Sequence, residues 1–99
     1  MTEKEVKALV RAELLTHNHL WFFMPAANGY GTPGIPDFVG IWKRYGFTIE
    51  CKAGSGRQSQ WQKKQEGAIV AAMAPYFLIH DDNVNNFRAM FTGWQNLCS

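Results

Sequence analysis

The residues best suited to chemistry in this 99-residue chain are Asp37, Glu50 and Lys52. Asp37 follows a proline and opens the run DFVGIW. Glu50 and Lys52 stand in FTIECK with one residue between them. If both runs are strands, Glu50 and Lys52 project to one face. KRYG, 43–46, separates the runs, and Arg44 to Gly46 reads as a hairpin connection. Pairing about a turn centred near Tyr45 puts Asp37 level with Lys52 or one residue beyond. Two carboxylates and an ammonium then converge on one side. Carboxylates a few ångströms apart repel unless a cation joins them. Oxygen ligands favour Mg²⁺ or Mn²⁺, and a lysine can neutralise a developing phosphorane or orient a hydroxide. Metal-assisted phosphodiester hydrolysis needs that set. An E-x-K alone is usually a solvated strand face. The joint pattern P-D-x(12)-E-x-K, with a turn inside it, is far more specific.

The elements that must hold these residues follow from local pattern. Thr2 with Glu5 reads as a capping box, and Val6, Leu9, Val10 and Leu14 recur at helical spacing, so a helix is predicted over 3–16. Glu13 falls inside its apolar face and Glu3 near its edge. LWFFM, 20–24, reads as a strand stopped by Pro25. Residues 25–36 form a loop, 37–42 a strand and 47–52 a strand with Phe47, Ile49 and Cys51 on one face. Ser59 caps the next helix with Gln62 at the reciprocal position. Trp61, Ala68, Ile69, Ala72 and Met73 supply its apolar side to about Ala74, before Pro75. YFLIH, 76–80, is a strand, and Asp82 or Asn83 caps a final helix over 84–91. The order α-β-β-β-α-β-α predicts an α/β fold, a mixed β-sheet flanked by helices.

The loop before Asp37 contains a GxGxxG at Gly29, Gly31 and Gly34. A dinucleotide site would need a helix opening at the third glycine. Pro36 disfavours a helical Ile35, and the following residues are strand-like. A nucleotide-binding domain using GYGTPG is therefore the weakest reading.

Bulk properties bound the partners loosely. The length is that of one domain, residues 1–99. The formal charge of +2 is compatible with a nucleic-acid partner without arguing for one. Two cysteines suggest no disulfide framework or zinc site, and a reduced, cytoplasmic setting is the simplest expectation. No run approaches a membrane span, and the start lacks a signal-peptide pattern.

Three pieces of the chain carry a resemblance: Gly34-Ile35-Pro36-Asp37, Ile49-Glu50-Cys51-Lys52, and Gly56-Arg57-Gln58-Ser59 leading to Gln62. They resemble the PD-(D/E)xK nuclease superfamily and, within it, the small VRR-NUC domain of phage and repair nucleases. The likeness is specific at its centre and weak at both ends. It implies a restriction-endonuclease-like core and a Mg²⁺- or Mn²⁺-dependent DNA endonuclease. Asp37 and Glu50 are similar to the family's metal-binding carboxylates, with the main-chain carbonyl of Cys51 as a further ligand. Lys52 resembles the catalytic lysine, and Gln62 matches a helix glutamine near the site. The family often adds a first-helix glutamate: Glu3 matches by its place, and Glu13 is its rival because it faces the core side. Many relatives also carry a lysine on the strand before the glycine loop, where Met24 and Pro25 stand here. A phage or bacterial protein acting in the host cytoplasm follows from the resemblance alone.

Contacts to DNA are expected from Gly31, Tyr30, Arg57 and Lys63, with Lys64, Lys43 and Arg44 as further cations on the surface. Tyr30 offers a ring for base stacking. No element is built to read base edges, so branched or nicked DNA is expected over a defined sequence. A domain this small needs two copies to cut two strands, so a homodimer or higher homo-oligomer is expected. A non-catalytic DNA-binding or assembly module on the same fold is the alternative. HNH at 17–19 reads as a helix end, His80 as a strand end, and Trp21, Phe22, Phe23, Trp42, Trp61 and Phe77 mostly as core.

Overall fold

A computed structural model describes residues 1–26 and 31–98. Thr2 starts the first helix: its hydroxyl accepts from the Glu5 N–H at 3.1 Å, and the Glu5 carboxylate accepts from the Thr2 N–H at 2.9 Å. This is the reciprocal cap that the sequence predicts. Helix α1 runs Glu3–Leu14, two residues short of the expected end. Val6, Val10 and Leu14 recur every fourth position and are its buried residues, while Leu9 lies beside that stripe and is exposed.

Strands β1 (Leu20–Phe23), β2 (Phe38–Trp42) and β3 (Tyr45–Cys51) follow, then helix α2 (Gln60–Ala71), strand β4 (Tyr76–Ile79), a 3-10 turn at Val84–Asn86 and helix α3 (Phe87–Leu97). The order α-β-β-β-α-β-α is as expected. The four strands form one mixed sheet in the order β1-β2-β3-β4. The β1–β2 and β2–β3 pairs are antiparallel, and α2 carries the crossover to the parallel β3–β4 pair.

Register gives the sheet two faces. Ile49 sits between Phe38 and Phe77, and these side chains meet Val6, Val10, Leu14, Phe87 and Phe91 in the core. Phe91 is its hub, with ring centroids 5.1 Å from Phe47 and 5.3 Å from Trp94. Burying this apolar and aromatic area is the main stabilising term. On the opposite face stand Trp21, Phe23, Ile41 and Glu50.

Several expectations are corrected. The hairpin turn is the two residues Lys43 and Arg44, flanked by the pair Trp42↔Tyr45, not Arg44 to Gly46. Lys43 adopts φ of 56°, a left-handed turn conformation usually marked by glycine or asparagine. Helix α2 lacks a buried side: none of its residues is buried, and Trp61 and Met73 are 48% and 91% exposed. It ends at Ala71 rather than near Ala74. Helix α3 begins later and runs to Leu97, six residues past the expected end. Neither Asp82 nor Asn83 caps it. Asn83 instead accepts from the His80 N–H and donates to the Leu78 carbonyl. Among the aromatics assigned to core, Trp21, Phe23 and Trp61 are exposed.

Candidate functional site

Asp37 is delivered by the end of the glycine loop. Gly34 has φ of 81°, and a Cβ there would run into the Trp61 carbonyl at the start of α2. Only glycine combines that conformation with so close an approach. The chain then passes through buried Pro36 to Asp37, just before β2. The Phe38↔Ile49 pair puts Asp37 level with Glu50 rather than with Lys52, because the turn is centred earlier than Tyr45. Asp37 Oδ2 accepts the Cys51 N–H at 2.8 Å, which anchors it to β3. Its Oδ1 lies 3.3 Å from Lys7 Nζ.

Glu50 is the most deeply placed charge of the site, with a side chain 2% exposed. Its Oε2 accepts from Gln62 Nε2 at 2.6 Å and lies 3.4 Å from Lys52 Nζ. Its Oε1 is buried and has no hydrogen-bond partner among the described residues. Burial first, and then the charge of Asp37, push the Glu50 carboxyl up to about 7, against the pull of Lys52. Leaving a buried acceptor unpaired costs ~1–3 kcal/mol, so this oxygen is a standing demand for a cation, a proton or water.

Gln62 serves both helix and site. Its Oε1 accepts from the Ser59 N–H at 2.8 Å, completing the cap of α2, and its Nε2 holds Glu50. The helix start and the carboxylate are therefore fixed by one side chain. Cys51 is fully buried and gives its peptide group to the site. In an extended strand a residue's N–H and C=O point to the same side, so its carbonyl faces the Asp37 side as well.

The two first-helix glutamates separate cleanly. Glu3 lines the cleft with Asp37, Glu50, Lys52 and Gln62, and its Oε2 is 3.6 Å from Lys7 Nζ. Glu13 faces another part of the molecule, bound to His17 at 2.8 Å and to Arg88 at 2.9 Å. Lys7 is the site residue that the sequence reading missed. Its position one turn after Glu3 was the available signal, since i and i+4 share a helix face. Burial opposes its charge, but Asp37 and Glu3 outweigh that and raise its pKa.

The cleft over these residues measures about 580 Å³ and includes Gly31 and the exposed ring of Trp61. Lys52 also lines a neighbouring cleft of about 550 Å³, together with Arg57, Lys63 and His80. The two clefts thus meet at Lys52. Tyr30 lies outside the described residues. Lys43 and Arg44 stand at the hairpin tip, against the rings of Trp42 and Tyr45. Lys64 sits 5.9 Å from the Trp61 ring centre. No helix opens at Gly34, so the described part of the glycine loop lacks what a dinucleotide site requires.

His80, Asp81 and Asp82 can bring one ligand atom each within 4.8 Å of one another. Asp82 is 91% exposed, and Asp81 accepts the Gly54 N–H. Nothing in that cluster is left unsatisfied by burial. His17, from the HNH triplet, is held at the end of α1 by Glu13.

Asp37, Glu50 and Glu3 therefore present hard oxygen donors to one cleft. One donor is orphaned, and a second meets only an ammonium. Hard oxygens of this kind suit Mg²⁺ or Mn²⁺, but Asp37, Glu50 and Glu3 do not bring one oxygen each within 4.8 Å of one another, so Asp37 and Glu50 are the pair that would hold the ion. Among the described residues no helix is long and apolar enough to cross a membrane. No protein-family model matches the chain, and no curated protein matches it.

Proposed function

We propose that the chain is a metal-dependent DNA endonuclease with a restriction-endonuclease-like core of the VRR-NUC kind. The observation that carries this reading is the open Oε1 of buried Glu50 beside Asp37 and Lys52. Asp37, Glu50 and the Cys51 carbonyl would hold Mg²⁺ or Mn²⁺, with Glu3 as a fourth candidate. A cation there supplies Lewis-acid polarisation of the scissile phosphate and a more acidic water.

The chain's own residues do the rest. Lys52 presents an ammonium beside the reacting phosphorus, where it orients the attacking water and offsets developing negative charge. Gln62 holds Glu50 in one rotamer, and the Cys51 N–H does the same for Asp37. Such fixed groups keep the geometry without reorganisation during reaction. Arg57 and Lys63 lie along the neighbouring cleft, where a strand leaving Lys52 would meet cations for its phosphates. Trp61 offers an exposed ring to an unstacked base. These contacts favour branched or nicked DNA over a sequence motif, and cutting both strands calls for a homodimer.

The test is incubation of supercoiled, nicked and branched DNA with Mg²⁺, with Mn²⁺ and with a chelator. Cleavage that needs the ion and drops about 10²- to 10⁴-fold in Lys52→Ala is the expected result. Retained DNA binding without cleavage under every condition would instead identify a non-catalytic module on this fold.

A further inference from the structure

The cleft contains a cation of its own. Lys7 Nζ stands 3.3 Å from Asp37 Oδ1 and 3.6 Å from Glu3 Oε2. Lys52 Nζ stands 3.4 Å from Glu50 Oε2. The two ammonium groups thus divide the carboxylates between them. Lys52 takes the oxygen that Gln62 also holds, and Glu50 Oε1 stays open. Lys7 takes the Asp37 oxygen left over from the Cys51 N–H.

These two lysines differ in how they are held. Lys52 is on β3, with a side chain 16% exposed and its own N–H fixed to the Ile79 carbonyl. Lys7 reaches into the cleft from α1 on a four-carbon stem, with a side chain 31% exposed. A divalent ion that uses Asp37 Oδ1 needs the place that Lys7 fills. Both cations cannot stay within ~4 Å of one carboxylate oxygen without strong mutual repulsion.

We propose that Lys7 is the resident counter-ion of the metal-free site and must swing off Asp37 before a divalent cation binds. This rests on the reading that Asp37 and Glu50 hold such a cation. Lys7 is a positioning residue in this account: it keeps Asp37 paired and in place while the site is empty. Its departure makes metal uptake an exchange of one cation for another, and so weakens metal affinity.

The exchange is tested without DNA. Free Mn²⁺ is followed by electron paramagnetic resonance as wild type, Lys7→Gln, Lys7→Met, Lys7→Arg and Asp37→Asn are titrated, and thermal melts of each are recorded with and without Mn²⁺. Lys7→Gln and Lys7→Met are expected to bind Mn²⁺ about tenfold more tightly, the scale of removing one nearby charge at partial exposure. Their metal-free melts should fall and their Mn²⁺-induced shifts grow, while Lys7→Arg keeps the wild-type affinity. Unchanged or weaker Mn²⁺ binding in both neutral variants, with Asp37→Asn still abolishing it, overturns the role of Lys7 and leaves the metal site standing. Equal tightening in Lys7→Arg also overturns it, because charge is then not the cause. Absence of Mn²⁺ binding in every protein overturns the proposal and the metal reading together.

Discussion

Two glutamates, Glu13 and Glu50, show how the same carboxylate serves opposite ends. Both are largely withdrawn from solvent, with side chains 13% and 2% exposed. Glu13 ties α1 to α3: Oε2 meets His17, Oε1 accepts from Arg88, and Gln95 of α3 reaches the other ring nitrogen of His17. Burial works against its charge, but the bonds from His17 and Arg88 win, and its pKa is lowered. Glu50 has one satisfied oxygen and one orphan, and its pKa is raised to about 7. A filled set of partners marks a structural brace. An unfilled set on a more deeply buried carboxylate marks a place where a cation, a proton or water must bind, because folding alone leaves that cost unrelieved.

Neutralising Glu50 should have the strongest consequence. Glu50→Gln should lose cleavage by at least about 10²-fold, as the Lys52 substitution does, yet keep or gain thermal stability, since it removes a buried charge that Lys52 only partly offsets. The melt and the rate are measured on the same preparation. Equal losses of both would make Glu50 a brace like Glu13.

Glu13→Ala should behave the other way. Stripping His17 and Arg88 of their partner should cost about 1–3 kcal/mol. Cleavage per folded molecule should stay near wild type, read by denaturant melts and active-site titration. A specific loss of turnover would move Glu13 into the site after all.

A smaller effect separates the two by pH. The Glu50 carboxyl ionises near 7 folded against an ordinary 4.5. Between those values the folded chain holds the extra proton, so metal-free stability should fall as pH rises from about 4.5 to about 7 and then level. Glu13 has the opposite sign. Its contribution is present above the ordinary carboxyl range and is lost as pH falls through its lowered folded value. Melts of Glu50→Gln should flatten the first slope, and those of Glu13→Gln should flatten the second.

Much of this was legible in the chain, for local reasons. Both capping boxes are short-range patterns, and both form. Asp37, Glu50, Lys52 and Gln62 come together because strand alternation and one hairpin carry them there. The turn was misplaced because Lys43 takes a left-handed φ that its residue type does not advertise. That shift moved Asp37 from the level of Lys52 to that of Glu50. Lys7 was missed because a lysine among the charges of an amphipathic helix reads as solvated. Only the tertiary placement of α1 turns it toward Asp37. Helix α2 misled in the reverse sense: none of its apolar residues is buried and Trp61 and Val70 lie exposed, and it is tied down by polar contacts, Gln62 to Glu50 and Gln58 to Glu66 and Tyr76. Helix periodicity carries no signal for that kind of attachment.

The open oxygen of Glu50 is the place where a bound cation would act most directly. Carboxyl-carbon NMR of ¹³C-labelled protein can follow its titration with and without Mg²⁺. An apparent pKa near 7 is expected in metal-free buffer, with a clear fall on adding Mg²⁺ and no such fall in the Asp37→Asn variant. A Glu50 titration that Mg²⁺ leaves unmoved in the wild-type chain would contradict a metal site at Asp37 and Glu50.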